Sequence, residues 1–334
     1  MLIPWLDGVL SFGKAPITWL MVFFCFTMYL LTNASVEKAD QDLQEQMDDA
    51  HYMESQGYLF AQYILQNPQK YSELIQGLAR GTAKGEMKHQ DLLANLALRD
   101  PAFIANYLSV VAVDPVAELS FKNHFRSVAA IQEADPLYGL GVFSEQYGLK
   151  HLVSYIFMHS GFAHLFGNMF FLLIFGGMIE RREGSLVVLM VFIGTGMVGA
   201  LTFLLLTEPT YAPLVGASGA ISGLMGYCCA VVGRQRVRYF FTLFLPQRKY
   251  YGFVYLPAYC ILLMWICADL AGYLSSLREL GGIAYPAHLG GEMAGLLIGL
   301  SLNTVRSFQD QSFGANPLRS VFSVITRGSM NWSK

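Results

Sequence analysis

The sequence predicts an all-α polytopic membrane protein, a bundle of six transmembrane helices with a helical extramembrane insertion after the first. Three observations predict it. Hydrophobic residues make up 54% of the 334 positions and charged residues only 14%, against about 25% charged in soluble domains. The apolar residues gather into stretches at roughly 16–33, 161–180, 185–207, 214–233, 252–273 and 286–303. Each is near the ~20 residues that a helix needs to cross ~30 Å of hydrocarbon. Finally, Lys and Arg concentrate in alternate connections, as the orientation of multi-span proteins requires.

The first stretch follows Lys14, and Arg181 and Arg182 follow the second. Arg234, Arg236, Arg238, Arg248 and Lys249 lie between the fourth and fifth, and Arg306, Arg319, Arg327 and Lys334 follow the sixth. The other connections hold little positive charge apart from Arg278. Both termini are therefore expected in the cytoplasm, and in a bacterium the membrane is the inner, plasma membrane. The expected divisions are a cytoplasmic N-terminus with the first span (1–35), an outer insertion (36–135), a core of spans two to six with an interfacial loop (136–303) and a cytoplasmic tail (304–334). An alternative reading makes the first stretch a signal peptide, with Thr32-Asn33-Ala34 before a cleavage point. Its long apolar region and weak basic flank favour a retained span.

Charge is segregated behind the formal net of −2. Residues 34–150 hold 9 basic and 16 acidic side chains, a net of −7, and the remainder holds 13 and 8, a net of +5. The acidic segment carries periodic apolar residues, Leu43, Met47 and Ala50, then Leu59, Tyr63 and Leu65, which predict short helices. Pro68, Gly81, Gly85, Pro101 and Pro115 punctuate them. A loosely folded spacer is the competing reading. Residues 137–160 are apolar and aromatic but too broken to span, and read as an interfacial segment. No basic cluster with interleaved aromatics points to nucleic acid. Cys25, Cys228, Cys229, Cys260 and Cys267 all fall in apolar stretches without zinc-ligand spacing, so neither a metal site nor a disulfide framework is expected. No cofactor motif is present.

The informative polar residues lie inside the spans. With this orientation, the second, fourth and sixth spans all run inward. His164 and Asn168, Ser218, and His288 fall near the starts of those three spans. At 1.5 Å per residue they share a depth within roughly 12 Å of the outer boundary. Each has a packing explanation. Ser218, in Gly216-Ala217-Ser218-Gly219-Ala220, sits among small residues that let helices approach. His288 precedes Gly291, Gly295 and Gly299, a close-packing face. His164 and Asn168, one turn apart, are able to hydrogen-bond across helices. Agreement in depth among three separate segments favours a shared site, since an intramembrane ionisable group is a functional hypothesis by default. A soluble hydrolase elbow is excluded, because it needs glycine two residues after the serine, where Ala220 stands.

Three runs, FMHSGFAHLFGNMFFLLIFG (157–176), GASGAISGLMG (216–226) and AHLGGEMAGLLIGL (287–300), resemble the rhomboid family of intramembrane serine proteases. The resemblance covers about residues 137–303, and the first span by topology. It implies a nucleophile at Ser218, a general base at His288, and oxyanion stabilisation by His164 and Asn168 with the Ser218 amide. Gly216, Gly219, His159 and Gly291 are expected to support the site. The ERREG turn places Glu180 at the family's usual glutamate position, and the fifth span, about 252–273, at its substrate gate. The chain departs from the family in three places. Lys150-His151 replaces the Trp-Arg pair that anchors the first outer loop. Ser222 replaces the aromatic that packs on the catalytic histidine. Glu292 lies one turn below His288, where it is either an acid that orients the imidazole or a buried carboxyl bonded elsewhere.

The resemblance implies a serine endopeptidase that cuts single-span or membrane-anchored proteins near their outer juxtamembrane ends, with the lipid bilayer as its surroundings. The insertion 36–135 is free to bind a further partner of unspecified kind. Two other readings stay open: an inactive rhomboid-like protein that binds membrane clients, and a small proton-coupled transporter in which His, Glu and Asp269 relay protons.

Overall fold

The computed structural model describes residues 2–4, 12–47, 50–86, 90–97, 100, 102–104, 106, 115–143, 147–207, 213–233, 236–242, 251–276 and 284–313. The expected tail beyond residue 313 lies outside the described residues, as do Arg234, Arg248, Lys249 and Arg278. What is described is mostly helical.

α1 (Pro16–Met47) runs well past the expected end of the first span near residue 33. No Pro or Gly interrupts residues 33–47, and most are good helix formers, so nothing stops the helix. Its first turn is capped from another helix. Glu180 accepts hydrogen bonds from the Ile17 and Thr18 amides (2.9 and 2.7 Å) and from the Thr18 hydroxyl (2.7 Å). The same carboxylate accepts the Ser185 hydroxyl at 2.6 Å. A carboxylate on otherwise orphaned first-turn amides is stabilising through both hydrogen bonding and the helix dipole.

Five helices follow Gly148 as long elements: α8 (Phe162–Glu183), α9 (Ser185–Leu206), α10 (Ser218–Val232), α11 (Ala258–Ser276) and α12 (Tyr285–Phe313). Among the described residues, α1, α8, α9 and α11 are long and apolar enough to cross a membrane. α10 has only 15 residues, and every residue from Gly219 to Val232 is buried. A helix wrapped by protein on all sides need not match the hydrocarbon thickness as a lipid-facing one must. α12 is long, but His288, Glu292 and its glycines dilute its apolar character.

Two stretches differ from the sequence expectation. α10 begins at Ser218, so residues 214–217 lie ahead of that helix rather than in its first turn. Leu214 pairs with Val142 in an antiparallel bridge, and the Gly216 amide donates to the Tyr155 carbonyl at 2.9 Å. The fifth span also starts late, at Ala258. Ahead of it, β1 (Leu2–Pro4), β2 (Arg236–Thr242) and β3 (Tyr251–Pro257) form an antiparallel sheet in that order, with Arg236 opposite Pro257 and Leu2 opposite Phe241. In β2 the buried Val237 and Tyr239 alternate with Arg236 and Arg238, the period of a half-buried strand. The sequence reading took these arginines as loop charges and passed over the alternation.

The described residues between α1 and residue 135 are folded. α2 (Ala50–Gln66), α3 (Glu73–Ala83), α4 (Gln90–Ala97) and α5 (Pro115–Ala134) bury Phe60, Ile64, Ile75, Leu93, Phe103 and Val128 in a core of their own. That composition rules against a loose spacer. Inside this core Tyr71 donates to Asp100, and burial, then that carboxylate, raises the phenol above its usual range.

The interfacial stretch is α6 (Pro136–Leu140), α7 (Leu149–Ser154) and a 3₁₀ turn, Tyr155–Phe157. Asp135 caps α6 by accepting from the Leu137 amide at 2.8 Å. Burial raises its carboxyl above the ordinary range. The Ser154 hydroxyl donates to the Leu140 carbonyl at 2.6 Å, and Lys150 reaches the Gly139 carbonyl at 3.4 Å. These bonds, with the Val142–Leu214 bridge, anchor the loop without the Trp-Arg pair.

Candidate active site

The site forms where the N-terminal ends of α8, α10 and α12 meet, and its geometry begins at Gly216. This residue has φ +115°, a conformation that side chains rarely adopt. A Cβ there would lie 2.7 and 2.8 Å from Cε1 and Nε2 of His164 and 3.7 Å from the Asn168 amide nitrogen. Only glycine lets the strand pass against that imidazole. Ala217 then caps α10 and Ser218 begins it. The Ser218 amide is in the first helical turn, where N–H groups lack intrahelical acceptors and the helix dipole is positive.

His288 lies in the first turn of α12. Its Nε2 is 2.9 Å from the Ser218 hydroxyl oxygen, and its Nδ1 is 3.3 Å from a carboxylate oxygen of Asp269 on α11. The Tyr285 ring meets the imidazole edge-on, with centroids 6.4 Å apart at 81°. Of the two acids near His288, the one facing Nδ1 is Asp269, and Glu292 makes no hydrogen bond to the ring. Glu292 is fully buried, and among the described residues neither of its oxygens has a hydrogen-bond partner. It lies one turn along α12 from His288.

Close approach of α10 and α12 makes the serine–histidine contact possible. A Cβ on Gly291 would collide with the Gly219 carbonyl, one on Gly295 with the Gly223 carbonyl, and one on Gly226 with the Glu292 carbonyl. Gly219 itself passes the Ala287 carbonyl, which a Cβ would meet at 3.1 Å. The two helices touch backbone to backbone, which small residues permit.

His164 and Asn168 lie one turn apart on α8, facing Gly216. The Asn168 amide donates to the His164 carbonyl at 3.0 Å, and His164 Nδ1 is 3.4 Å from the Ser160 hydroxyl. The His159 ring packs edge-on against His164 with centroids 5.3 Å apart. Burial, then the neighbouring His164, pushes the His159 imidazole down to about 3. It is neutral at ordinary pH and adds no charge to the site.

Ser218, His288, His164 and Asn168 are thus brought together, with Gly216, Gly219, His159 and Gly291 around them. Sequence reasoning missed three contributors. Asp269 figured only in the transporter reading, although a lone acid in the fifth span was a visible signal. Tyr285 stands where the missing aromatic at position 222 would have acted, but from another helix. Tyr155, buried, donates to the Gly196 carbonyl at 2.6 Å and supports the loop whose carbonyl binds Gly216. Nothing in the sequence marked it.

A serine hydroxyl thus meets an imidazole at a helix N-terminus, within a bundle of apolar helices. Residues 147–304 match the family model described as Rhomboid domain. Those residues are similar to a rhomboid domain, and the long apolar helices around them are those of an integral multi-pass membrane protein. It is 35% identical over 118 residues to "Putative rhomboid protease YdcA" of Bacillus subtilis (strain 168), covering 35% of this chain and 57% of that protein. It is 43% identical over 72 residues to "Rhomboid-like protein 11, chloroplastic" of Arabidopsis thaliana, covering 22% of this chain and 25% of that one. The "RHOMBOID-like protein 6, mitochondrial" of the same plant is 35% identical over 75 residues, 22% of this chain and 24% of the relative. The chain thus spans little more than half the length of the first of these relatives and about a quarter of the others.

Proposed function

We propose that this protein is an intramembrane serine endopeptidase that cuts single-span or membrane-anchored proteins near their outer juxtamembrane ends. The observation that carries the reading is the 2.9 Å contact between Ser218 Oγ and His288 Nε2 at the N-terminus of α10. His288 takes the hydroxyl proton as Oγ attacks the peptide carbonyl carbon. The oxyanion of the tetrahedral adduct faces the Ser218 amide, Asn168 and His164. One such donor is worth about 10²–10³ in rate. The imidazolium then gives its proton to the leaving amine, and the serine ester remains. Water attacks that ester, His288 takes its proton, and the acid product leaves as the serine regains its hydrogen. Hydrolysis needs water, so a site at helix ends suits the reaction better than one at mid-bilayer.

In this reading α1, α8, α9, α10, α11 and α12 are the six spans, both termini are cytoplasmic, and residues 36–135 form the outer insertion on the catalytic core 136–303. The test uses the purified protein in liposomes with a generic single-span substrate. Wild type is expected to cut it, and Ser218→Ala and His288→Ala each to lose at least about 10³-fold. Cleavage that survives Ser218→Ala sinks the serine mechanism. A wild type that binds the substrate and never cuts it marks a client-binding protein instead.

A further inference from the structure

We infer that Asp269 is a positioning residue for the general base, which makes α11 the element that sets the tautomer and orientation of His288. The inference rests on the serine-hydrolase reading and deepens it from two residues to three.

The His288 imidazole offers a nitrogen to each of two partners. Nε2 must carry a lone pair toward Ser218 to accept its proton, so the ring hydrogen has to sit on Nδ1. A neutral histidine chooses between its tautomers by what its other nitrogen meets. Here Nδ1 meets the Asp269 carboxylate at 3.3 Å while Nε2 meets Ser218 at 2.9 Å. Asp269 is buried, and its oxygen accepts while Nδ1–H donates, so this arrangement selects the productive tautomer. The same carboxylate stabilises the imidazolium that forms when the serine proton arrives.

A second contact from α11 holds the ring through an intermediary. Gly272 lies three residues beyond Asp269, on the same helix face. A Cβ there would collide with the Tyr285 ring, so the glycine is the cradle in which that ring lies. Tyr285 in turn packs edge-on against His288. The base is thus gripped directly by Asp269 and indirectly by Gly272 through an aromatic wall.

α11 is also the site helix with the weakest hold on the bundle. α10 is buried along its length, whereas α11 exposes Leu263, Met264, Leu270 and Leu274. A 3.3 Å contact has little reserve, since an outward shift of about 1 Å takes it beyond hydrogen-bond range.

The experiment compares wild type, Asp269→Asn and Asp269→Glu in liposomes, with ¹⁵N spectra of the His288 ring and labelling of Ser218 by a fluorophosphonate. Wild type is expected to show the Nδ1–H tautomer. Asp269→Asn keeps the shape but offers an amide donor to Nδ1. It should lower kcat by about 10²-fold, the lower end of what a positioned base supplies, leave KM within about threefold, and slow labelling in step. Asp269→Glu should recover part of that loss. An Nε2–H ring in wild type, or an Asp269→Asn enzyme with wild-type kcat and labelling, overturns the positioning role and leaves the hydrolase reading intact. A wild type that neither cleaves nor labels overturns both. Should Asp269→Asn fail to fold, the wild-type tautomer decides alone.

Discussion

The two neighbours of α12 hold it by different physics. α10 meets it backbone to backbone, with Gly219, Gly223 and Gly226 against Gly291, Gly295 and the Glu292 carbonyl. α11 meets it through side chains: a carboxylate on an imidazole and a tyrosine ring over a glycine. The first interface has no soft coordinate, because carbonyl groups and Cα atoms cannot rotate out of the way. The second is made of groups with rotamers and tautomers. The nucleophile and base are therefore fixed in distance by the stiff contact and tuned in orientation by the soft one. Lipid-side packing alone does not drive helices together, so the stiff contact depends on small residues.

The comparison breaks first at the stiff interface. Gly295→Val places branched carbons on the Gly223 carbonyl, where no side-chain motion relieves them. Overpacking of this kind typically costs about 1–3 kcal/mol or more, and a misplacement near 1 Å costs about 10²-fold in rate. Cleavage is expected to fall by at least that factor, and thermal unfolding in detergent to move to lower temperature. Wild-type melting and activity would show that α10 and α12 are less rigidly joined than their glycines imply. The soft interface should respond differently. Gly272→Ala first meets the Tyr285 ring, which can turn. Its expected effect is a loss of roughly 10-fold in kcat, from the cost of an off-rotamer ring, with a melting temperature close to wild type.

What was legible in the sequence divides along the same line. Apolar stretches gave α1, α8, α9 and α11 because each obeys the arithmetic of length and hydropathy. The meeting of Ser218, His288, His164 and Asn168 was expected from their positions near the starts of alternate apolar stretches, at 1.5 Å per residue. The glycine spacing on α12 announced a close approach. The pairing of His288 with Asp269 was not legible. Glu292 is one turn away on the same helix, so local periodicity nominates it. Asp269 is 19 positions away, and only the tertiary placement of α11 brings it to the ring. The strands were missed for a related reason: hydropathy windows average over the period-2 alternation of Val237 and Tyr239 with the arginines. Residues 214–217 fall inside the expected span because they are apolar, and apolarity alone does not say helix.

The smallest expected effect is the sharpest test of which acid matters. Glu292 is an ionisable side chain wholly inside the bundle, nearer to His288 in sequence than Asp269, and without a hydrogen-bond partner among the described residues. Glu292→Gln keeps its volume and its place against α10 while removing its capacity to carry charge. If orientation of the base belongs to Asp269, kcat for Glu292→Gln stays within about twofold of wild type, since no contact to the reacting groups has been lost. The paired Asp269→Asn change, chemically the same substitution one helix away, should cost about 10²-fold. A reversed order, with Glu292→Gln crippled and Asp269→Asn intact, would return the orienting role to α12. The base would then be positioned by the same helix that carries it, and a shift of α11 would leave its chemistry untouched.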